Sequence, residues 1–201
     1  MIGQFLTHPA TAFTGGIILT IGGLAALLTS CAPPNRTATD VQDYRDELAK
    51  APTAAADDGA TKRFGNFLSG IGDENYVREN TSKVFARDAY LNDTLVTHRG
   101  AAEIEKYFLK TSRAMESYNV TIDEVVKSGP NHYFRWTMVF QAKALGQGKP
   151  IHSVGISQVR FDESGKVAFQ QDFWDSGKNL FGQAPVAGAV IGFIRKQLEK
   201  P

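Results

Sequence analysis

The chain has 201 residues, of which 42% are hydrophobic and 21% are charged, and its formal net charge is +1. These values fit one globular domain with an additional segment. A near-neutral charge gives no reason to expect nucleic acid as a partner. The single cysteine, Cys31, excludes an internal disulfide and a multi-cysteine metal site. The sequence has no glycine-rich phosphate-binding motif, and it predicts no cofactor.

Residues 1–30 contain no Lys, Arg, Asp or Glu, and the apolar run 15–28 is shorter than a membrane-spanning helix. Leu28-Thr29-Ser30-Cys31 resembles the lipobox of bacterial lipoproteins, in which the cysteine is lipidated. We therefore predict a signal peptide over 1–30 and a protein tied by Cys31 to the extracytoplasmic face of a membrane in the bacterial cell envelope. The alternative is an uncleaved N-terminal anchor with a chance cysteine, because the first residues lack the usual Lys or Arg.

Residues 31–60 are predicted to form a tether that contains a short helix over 39–50. Apolar residues at i, i+3, i+4 and i+7 then predict a helix, which Gly70 ends. The residues of this stripe are Phe64, Phe67, Leu68 and Ile71. A second helix is expected over 74–82 and a longer amphipathic helix over 101–115.

After residue 118 the apolar period changes to two, which predicts strands. They are expected over 118–129, 132–145, 151–161 and 166–174, and an irregular strand over 84–93 precedes them. Helices followed by antiparallel strands are typical of an α+β fold. We assign residues 61–178 to this domain and 179–201 to a C-terminal amphipathic helix.

Strand alternation places apolar residues on one face of the central strand, among them Trp136 and Met138. On the last strand, Gln170, Asp172 and Trp174 share a face, which sets an acid beside an indole. Such a face is either simple core or the wall of a small-molecule pocket with a few polar groups.

Five segments in order resemble the SnoaL-like (polyketide-cyclase-like) branch of the NTF2-like superfamily. They are VFARDAYLND, THRGAAEIEKYF, HYFRWTMVF, HSVGISQVRFDESGKV and QQDFWDS. The resemblance implies a cone made by a strongly curved antiparallel sheet around helices, with a pocket at one end. The fold alone does not imply a reaction.

Asp93 lies where the resemblance to ketosteroid isomerases implies a general base. The second acid of that mechanism falls on Ser157, whose hydroxyl is a weaker oxyanion stabiliser. Steroid-type isomerisation is therefore not favoured. The alternative for Asp93 is a turn residue that caps the loop 92–98.

Asp172 matches the acid/base of SnoaL-like cyclases, and Gln170 stands where many relatives have a histidine. A histidine–aspartate pair is thus impossible there. The alternative is that Asp172 is a buried polar residue whose oxygens are satisfied by backbone groups or by Arg135. Asp175, one residue beyond Trp174, is expected to end the strand or cap a helix.

We predict seven further residues around the pocket: Tyr90, Trp136, Met138, His152, Ser157, Gln170 and Trp174. His98 and His132 are expected at the surface. Because the histidines lie on different elements, the sequence predicts no metal site.

Two functional hypotheses follow. The first is a binding module for a small hydrophobic ligand or a protein partner, and the second is an isomerase, cyclase or hydratase that uses Asp172 or Asp93 as acid/base. A sealed core without a pocket is the third alternative.

The C-terminal segment has a stripe of apolar residues followed by basic ones; the apolar residues are Val186, Val190, Ile194 and Leu198. This pattern predicts a helix that lies on the membrane, packs on its own domain or pairs two subunits as a homodimer.

Overall fold

The computed structural model describes residues 37–145 and 148–200. Contacts divide the chain into two units, Met1–Asp43 and Tyr44–Pro201. The helix Thr37–Lys50 runs through the boundary between them, and every other described element belongs to the second unit. The predicted signal peptide and Cys31 lie outside the described residues. Among the helices that are described, none has the length and apolar character to cross a membrane.

Six α-helices and six strands form the described elements. The helices are α1 Thr37–Lys50, α2 Asp58–Gly70, α3 Glu74–Val84, α4 Ala101–Ala114, α5 Ser176–Asn179 and α6 Pro185–Leu198, with a 3-10 turn over Phe181–Gln183. The strands are β1 Phe85–Asn92, β2 Thr97–Arg99, β3 Met115–Ser128, β4 Asn131–Ala142, β5 Ile151–Phe161 and β6 Val167–Trp174.

The strands form one sheet in the order β2-β1-β6-β5-β4-β3. The α+β prediction with a curved sheet is confirmed. One pairing differs from the expected antiparallel run, because β1 and β6 are parallel. The sheet brings the first and last long strands together, and the helices between them supply the crossover that a parallel pair needs. The three-residue β2 was not predicted, since so short a strand carries no periodic signal.

Helices α2 and α3 begin at aspartates, as capping chemistry predicts. The Asp57 carboxylate accepts from the Ala60 N–H at 2.6 Å, and the Asp73 carboxylate accepts from the Asn75 N–H at 2.8 Å. The α2 stripe is buried against the sheet, where the Phe64 and Phe134 ring centroids lie 4.8 Å apart. Burying each such ring contributes about 2 kcal/mol, so this layer holds the helices to the inner face of the sheet.

The end of α1 packs on the outer face of the sheet and is not a free tether. The Tyr44 hydroxyl donates to Gln158 Oε1 at 2.8 Å, and Arg160 Nη1 donates to the Leu48 carbonyl at 3.0 Å. Arg99 Nη1 donates to Glu47 at 2.8 Å and holds the pKa of Glu47 at about 2. The tether prediction for 31–60 therefore needs correction from Tyr44 onwards.

His132 is buried, which corrects its predicted surface position. Its place in β4 puts it on the inner face, where its ring meets Phe161 edge-on with centroids 5.1 Å apart. Burial lowers the pKa of His132, so the side chain favours the neutral form. It belongs to the core.

The C-terminal helix α6 has no buried residue, and Val186, Phe193 and Leu198 are well exposed. It contacts the 3-10 turn through Gly188, where an added Cβ would lie 2.4 Å from the Gly182 carbonyl oxygen. Before it, Asp175 caps α5 by accepting from the Lys178 N–H at 2.8 Å, as predicted. Asn179 anchors α5 to β5 by donating to Ser153 Oγ at 3.0 Å.

Candidate functional site

A cavity of about 650 Å³ lies between α2, α4 and the inner face of the sheet. Most of its wall is apolar, and both tryptophans of the chain line it. Its polar and charged lining residues are Asp93, His98, Glu103, Lys106, Tyr107, Lys110, Thr111, Tyr118, Ser157, Gln170 and Asp172. The size and the few convergent polar groups are those of a small-molecule site.

The polar floor of the cavity consists of five strand residues: Trp136, Ser157, Gln170, Asp172 and Trp174. Antiparallel pairing places Ser157 opposite Asp172 and Gly155 opposite Trp174. Gly155 also gives the Trp136 ring its room, because an added Cβ would lie 2.4 Å from that ring. The floor is thus assembled by strand register.

Asp172 is the one lining group whose acidity is shifted into the neutral range. Burial raises its pKa to about 7, although hydrogen bonds from Ser157 and Gln170 oppose the shift; the nearby Asp93 adds to it. The side chain keeps intermediate exposure because the cavity it lines is open, while protein surrounds it on its other sides. Asp172 can therefore hold or release a proton near neutral pH.

Two hydrogen-bonded contacts hold the Asp172 carboxyl in place. Gln170 Nε2 donates to its two oxygens at 2.9 and 3.1 Å. The Ser157 hydroxyl bonds to Asp172 and accepts from Trp136 Nε1 at 3.1 Å. The proposed alternative partner, Arg135, instead faces Asp123 and Glu124 at 3.4 and 3.3 Å on the other side of the sheet.

Gln170 leaves one polar atom without a partner. The residue is 1% exposed, and its Oε1 accepts no hydrogen bond from the described residues. A buried amide oxygen without a donor is costly by roughly 1–3 kcal/mol. Gln170 lines the cavity, but this oxygen is itself buried, so the cost falls within the protein.

Asp93 combines the two roles considered for it, because it caps a turn and lines the cavity. Its Oδ1 accepts from the Leu95 and Val96 N–H groups at 2.9 and 2.8 Å. Its Oδ2 accepts a short hydrogen bond from the Tyr107 hydroxyl. Because it accepts from two backbone N–H groups of its own turn and from Tyr107, Asp93 is suited to hold the loop.

The turn that carries Asp93 is tied to the last strand. Trp174 Nε1 donates to the Asp93 carbonyl at 2.8 Å, and Thr94 Oγ1 donates to the Asp172 carbonyl at 2.6 Å. Thr94 has a φ of 80°, an uncommon value for a residue with a branched side chain. These bonds keep the two acids on one cavity.

Two tyrosines face the acids. Burial and the nearby charge of Asp93 raise the pKa of Tyr107, and burial with the charge of Asp172 raises the pKa of Tyr118. Both therefore keep their protons at neutral pH. The Tyr107 hydroxyl is used by Asp93, whereas the Tyr118 hydroxyl has no partner among the residues described.

Of the seven residues predicted around the pocket, Trp136, Met138, Ser157, Gln170 and Trp174 line the cavity. Tyr90 and His152 do not, which corrects their predicted placement. Tyr90 is on the outer face, stacked on Phe169 with ring centroids 5.3 Å apart. His152 is exposed, because it alternates with the inward-facing residues of β5.

Among the lining residues that were not predicted are His98, Tyr107 and Tyr118. His98 was expected at the surface, but its ring stacks on Tyr107 with centroids 4.5 Å apart, and its Nε2 is buried without a partner. The helical spacing of Tyr107 in α4 predicts that this side chain faces the core, but it does not indicate a cavity. No group of three His, Cys, Asp or Glu in the described ranges is placed to hold a metal ion.

Residues 73–170 match the family model described as the SnoaL-like domain. A search of curated proteins found no significant match. Solved structures share the fold at low identity.

Three of these structures show the extent of the likeness. A protein with a ketosteroid isomerase-like fold from Catenulispora acidiphila, in complex with trimethylamine, is 16% identical, with 63% of this chain and 92% of that chain covered and a TM-score of 0.51. A candidate SnoaL-like polyketide cyclase from Shewanella denitrificans is 15% identical, with 63% and 97% covered and a TM-score of 0.52. An NTF2-like protein of unknown function from an Exiguobacterium species is 13% identical, with 58% and 98% covered and a TM-score of 0.50.

Proposed function

We propose that the SnoaL-like domain of this chain, residues 73–170 within an NTF2-like fold, binds a small, largely apolar molecule in its cavity. The observation that carries the proposal is the 650 Å³ space with apolar walls and a hydrogen-bonding floor. A packed core would fill such a volume, because unfilled space forfeits dispersion contacts. The retained space therefore supports a bound occupant.

Calorimetry on the full chain with 1-adamantanol, a compact apolar alcohol, tests this function. We expect saturable binding that weakens at least tenfold in Ala114→Phe, because Ala114 is an exposed lining residue where a ring would obstruct the cavity. Ala189→Phe makes the same change on α6, outside the cavity, and should bind like the parent. Equal binding by both variants would place the ligand elsewhere and sink the proposal.

A second candidate function is proton transfer by Asp172 to or from a bound carbonyl compound. Two observations favour it: the pKa of Asp172 is raised to about 7, and the neighbouring Tyr118 hydroxyl has a free proton to donate. A general acid/base contributes about 10²–10⁴ in rate. Asp93 is the weaker candidate because its carboxylate caps its own turn, where it accepts from two backbone N–H groups and from Tyr107.

Deuterium exchange beside the carbonyl of a small cyclic ketone, followed by NMR, tests this chemistry. Catalysed exchange that falls at least a hundredfold in Asp172→Asn and persists in Asp93→Asn would establish the enzyme. Ketone binding without catalysed exchange would leave a binding module.

We also propose that lipidated Cys31 ties the domain to a membrane outside the cytoplasm, on the support of the lipobox-like LTSC sequence. Mass spectrometry of the membrane fraction should find a mature chain that begins at diacylated Cys31. An intact Met1 terminus would overturn the lipoprotein proposal and favour the uncleaved anchor.

A further inference from the structure

Each side-chain nitrogen of the polar floor already donates within the protein. Trp136 Nε1 donates to Ser157, Trp174 Nε1 donates to the Asp93 carbonyl, and Gln170 Nε2 donates to Asp172. A carboxylate or phosphate ligand, which needs several donors, would find both indole N–H groups of the floor already engaged.

The Asp172 carboxylate is the acceptor that the floor offers to a ligand. It has lone pairs beyond those that accept from Ser157 and Gln170, whereas the unpartnered Gln170 Oε1 is itself buried. His98 Nε2 and the Tyr118 hydroxyl also lack described partners, but each of these can act as donor or acceptor. The ionised Asp172 carboxylate can only accept, so it requires a donor from the ligand.

The charge of the cavity also favours a ligand that carries a positive charge. Asp93 and Asp172 lie on one cavity, and no Lys or Arg of the described chain forms an ion pair with either acid. Lys106 at the helical side of the cavity is paired with Glu103 at 2.7 Å, and Lys110 is exposed to solvent. Aromatic rings, among them both tryptophans, complete a wall that favours cations.

We infer that the ligand is a lipophilic amine, whose ammonium group donates to the Asp172 carboxylate while its apolar body fills the cavity. This inference rests on the proposed function and adds the chemical class of the ligand. An ammonium group has three donors and no acceptor, which suits the carboxylate of the floor. The carboxylate also gains the counter-charge that it lacks in the free protein.

The opposite ligand class requires a different arrangement of the same two residues. If Asp172 held a proton, the Gln170 amide could turn over, accept the acid's O–H and present its N–H₂ group to the cavity. The floor would then favour a carbonyl or carboxylate ligand. Amines and carbonyl compounds therefore select opposite states of the Gln170–Asp172 pair, and a matched set of ligands distinguishes them.

The test compares 1-adamantanamine, 1-adamantanol, 2-adamantanone and adamantane-1-carboxylate by calorimetry at pH 7.5 on the full chain. These probes share one apolar cage and differ in the polar group. We expect the amine to bind at least tenfold more tightly than the alcohol, and the ketone and carboxylate to bind more weakly than either.

Asp172→Asn tests the assigned partner, because it keeps the shape and removes the negative charge. We expect the ratio of amine affinity to alcohol affinity to fall at least tenfold in this variant, whatever change the two ligands share. Asp88→Asn removes an exposed acid of β1 and serves as the matched control. Thermal melting establishes that each variant is folded before binding is measured.

The outcomes separate the two proposals. If no probe binds, the proposed function itself fails. If the ketone, carboxylate or alcohol binds as tightly as the amine, the cavity binds ligands but the amine assignment is overturned. An amine advantage that persists in Asp172→Asn would also overturn it, since the carboxylate would then not be the partner.

Discussion

Burial of the ionised Asp172 carboxylate destabilises the folded protein, and the hydrogen bonds that the carboxylate accepts only partly offset this effect. Its folded pKa of about 7 lies above the value of about 3.9 for an unfolded chain. Between these values the folded state holds a proton that the unfolded state has released. The free energy of unfolding contributed by this group therefore falls as the pH rises from about 4 to about 7, and stays constant above that range.

Asp172→Asn should remove this dependence on pH. We expect the variant to be more stable than the parent by roughly 2–4 kcal/mol at pH 8 and close to it at pH 4. Urea denaturation at a series of pH values gives the difference between the two proteins, in which shared contributions such as that of Glu47 cancel. A constant difference from pH 4 to pH 8 would show that Asp172 does not titrate in this window.

Tyr107 supports the site through Asp93. Tyr107→Phe removes the hydroxyl that donates to Asp93 Oδ2 but leaves the two backbone N–H groups on Oδ1. We expect a loss of about 1–2 kcal/mol in the free energy of unfolding, since a buried acceptor loses its partner. Tyr133→Phe on the outer face of β4 is the control and should have little effect. Equal stability for the two variants would contradict the role given to this bond.

At the scale of elements, α6 is held by one close backbone approach. Gly188→Ala would place a methyl group against the Gly182 carbonyl, whereas Gly192 has open space around it. We expect Gly192→Ala to slow amide exchange in α6, because alanine is the better helix former by about 1 kcal/mol. Gly188→Ala should speed exchange despite the same gain in helix propensity. Protection of α6 in both variants would show that the contact with the 3-10 turn is unimportant.

Strand alternation made part of the site predictable. Gln170, Asp172 and Trp174 share the inner face of β6, and Trp136 and Met138 share that of β4, because side chains alternate in a regular strand. The same rule excludes His152, since it and Ser157 have opposite parity on β5 and cannot both face inward. Strand alternation did not predict which face Tyr90 occupies, because β1 shifts register between Phe85 and Tyr90.

The rest of the site depends on contacts between elements that are distant in sequence. The bond from Tyr107 to Asp93 joins a helix to a turn, and the pairing of β1 with β6 brings Asp93 close to Asp172. The periodicity of apolar residues within a helix or strand does not indicate such contacts. Burial without a counter-charge, which sets the pKa of Asp172, likewise becomes visible only when the whole cavity is assembled.

At the scale of the whole molecule, a curved sheet and its helices retain an apolar space rather than closing it. Both tryptophans of the chain line that space, and each indole N–H bonds inside the protein. The domain thus carries two built-in reporters of its cavity. The exposed apolar residues of the C-terminal helix and the lipobox-like LTSC sequence are the two features behind the proposed membrane attachment.

The most direct test of the cavity as a ligand site is the pair of indole N–H signals in the ¹H–¹⁵N NMR spectrum of the full chain. Titration with 1-adamantanol should shift the signals of Trp136 and Trp174 together and in a saturable way. The Ala114→Phe variant should require at least tenfold more ligand for the same shift. Indole signals that stay fixed while the ligand binds would contradict the account, because the ligand would then lie outside the cavity.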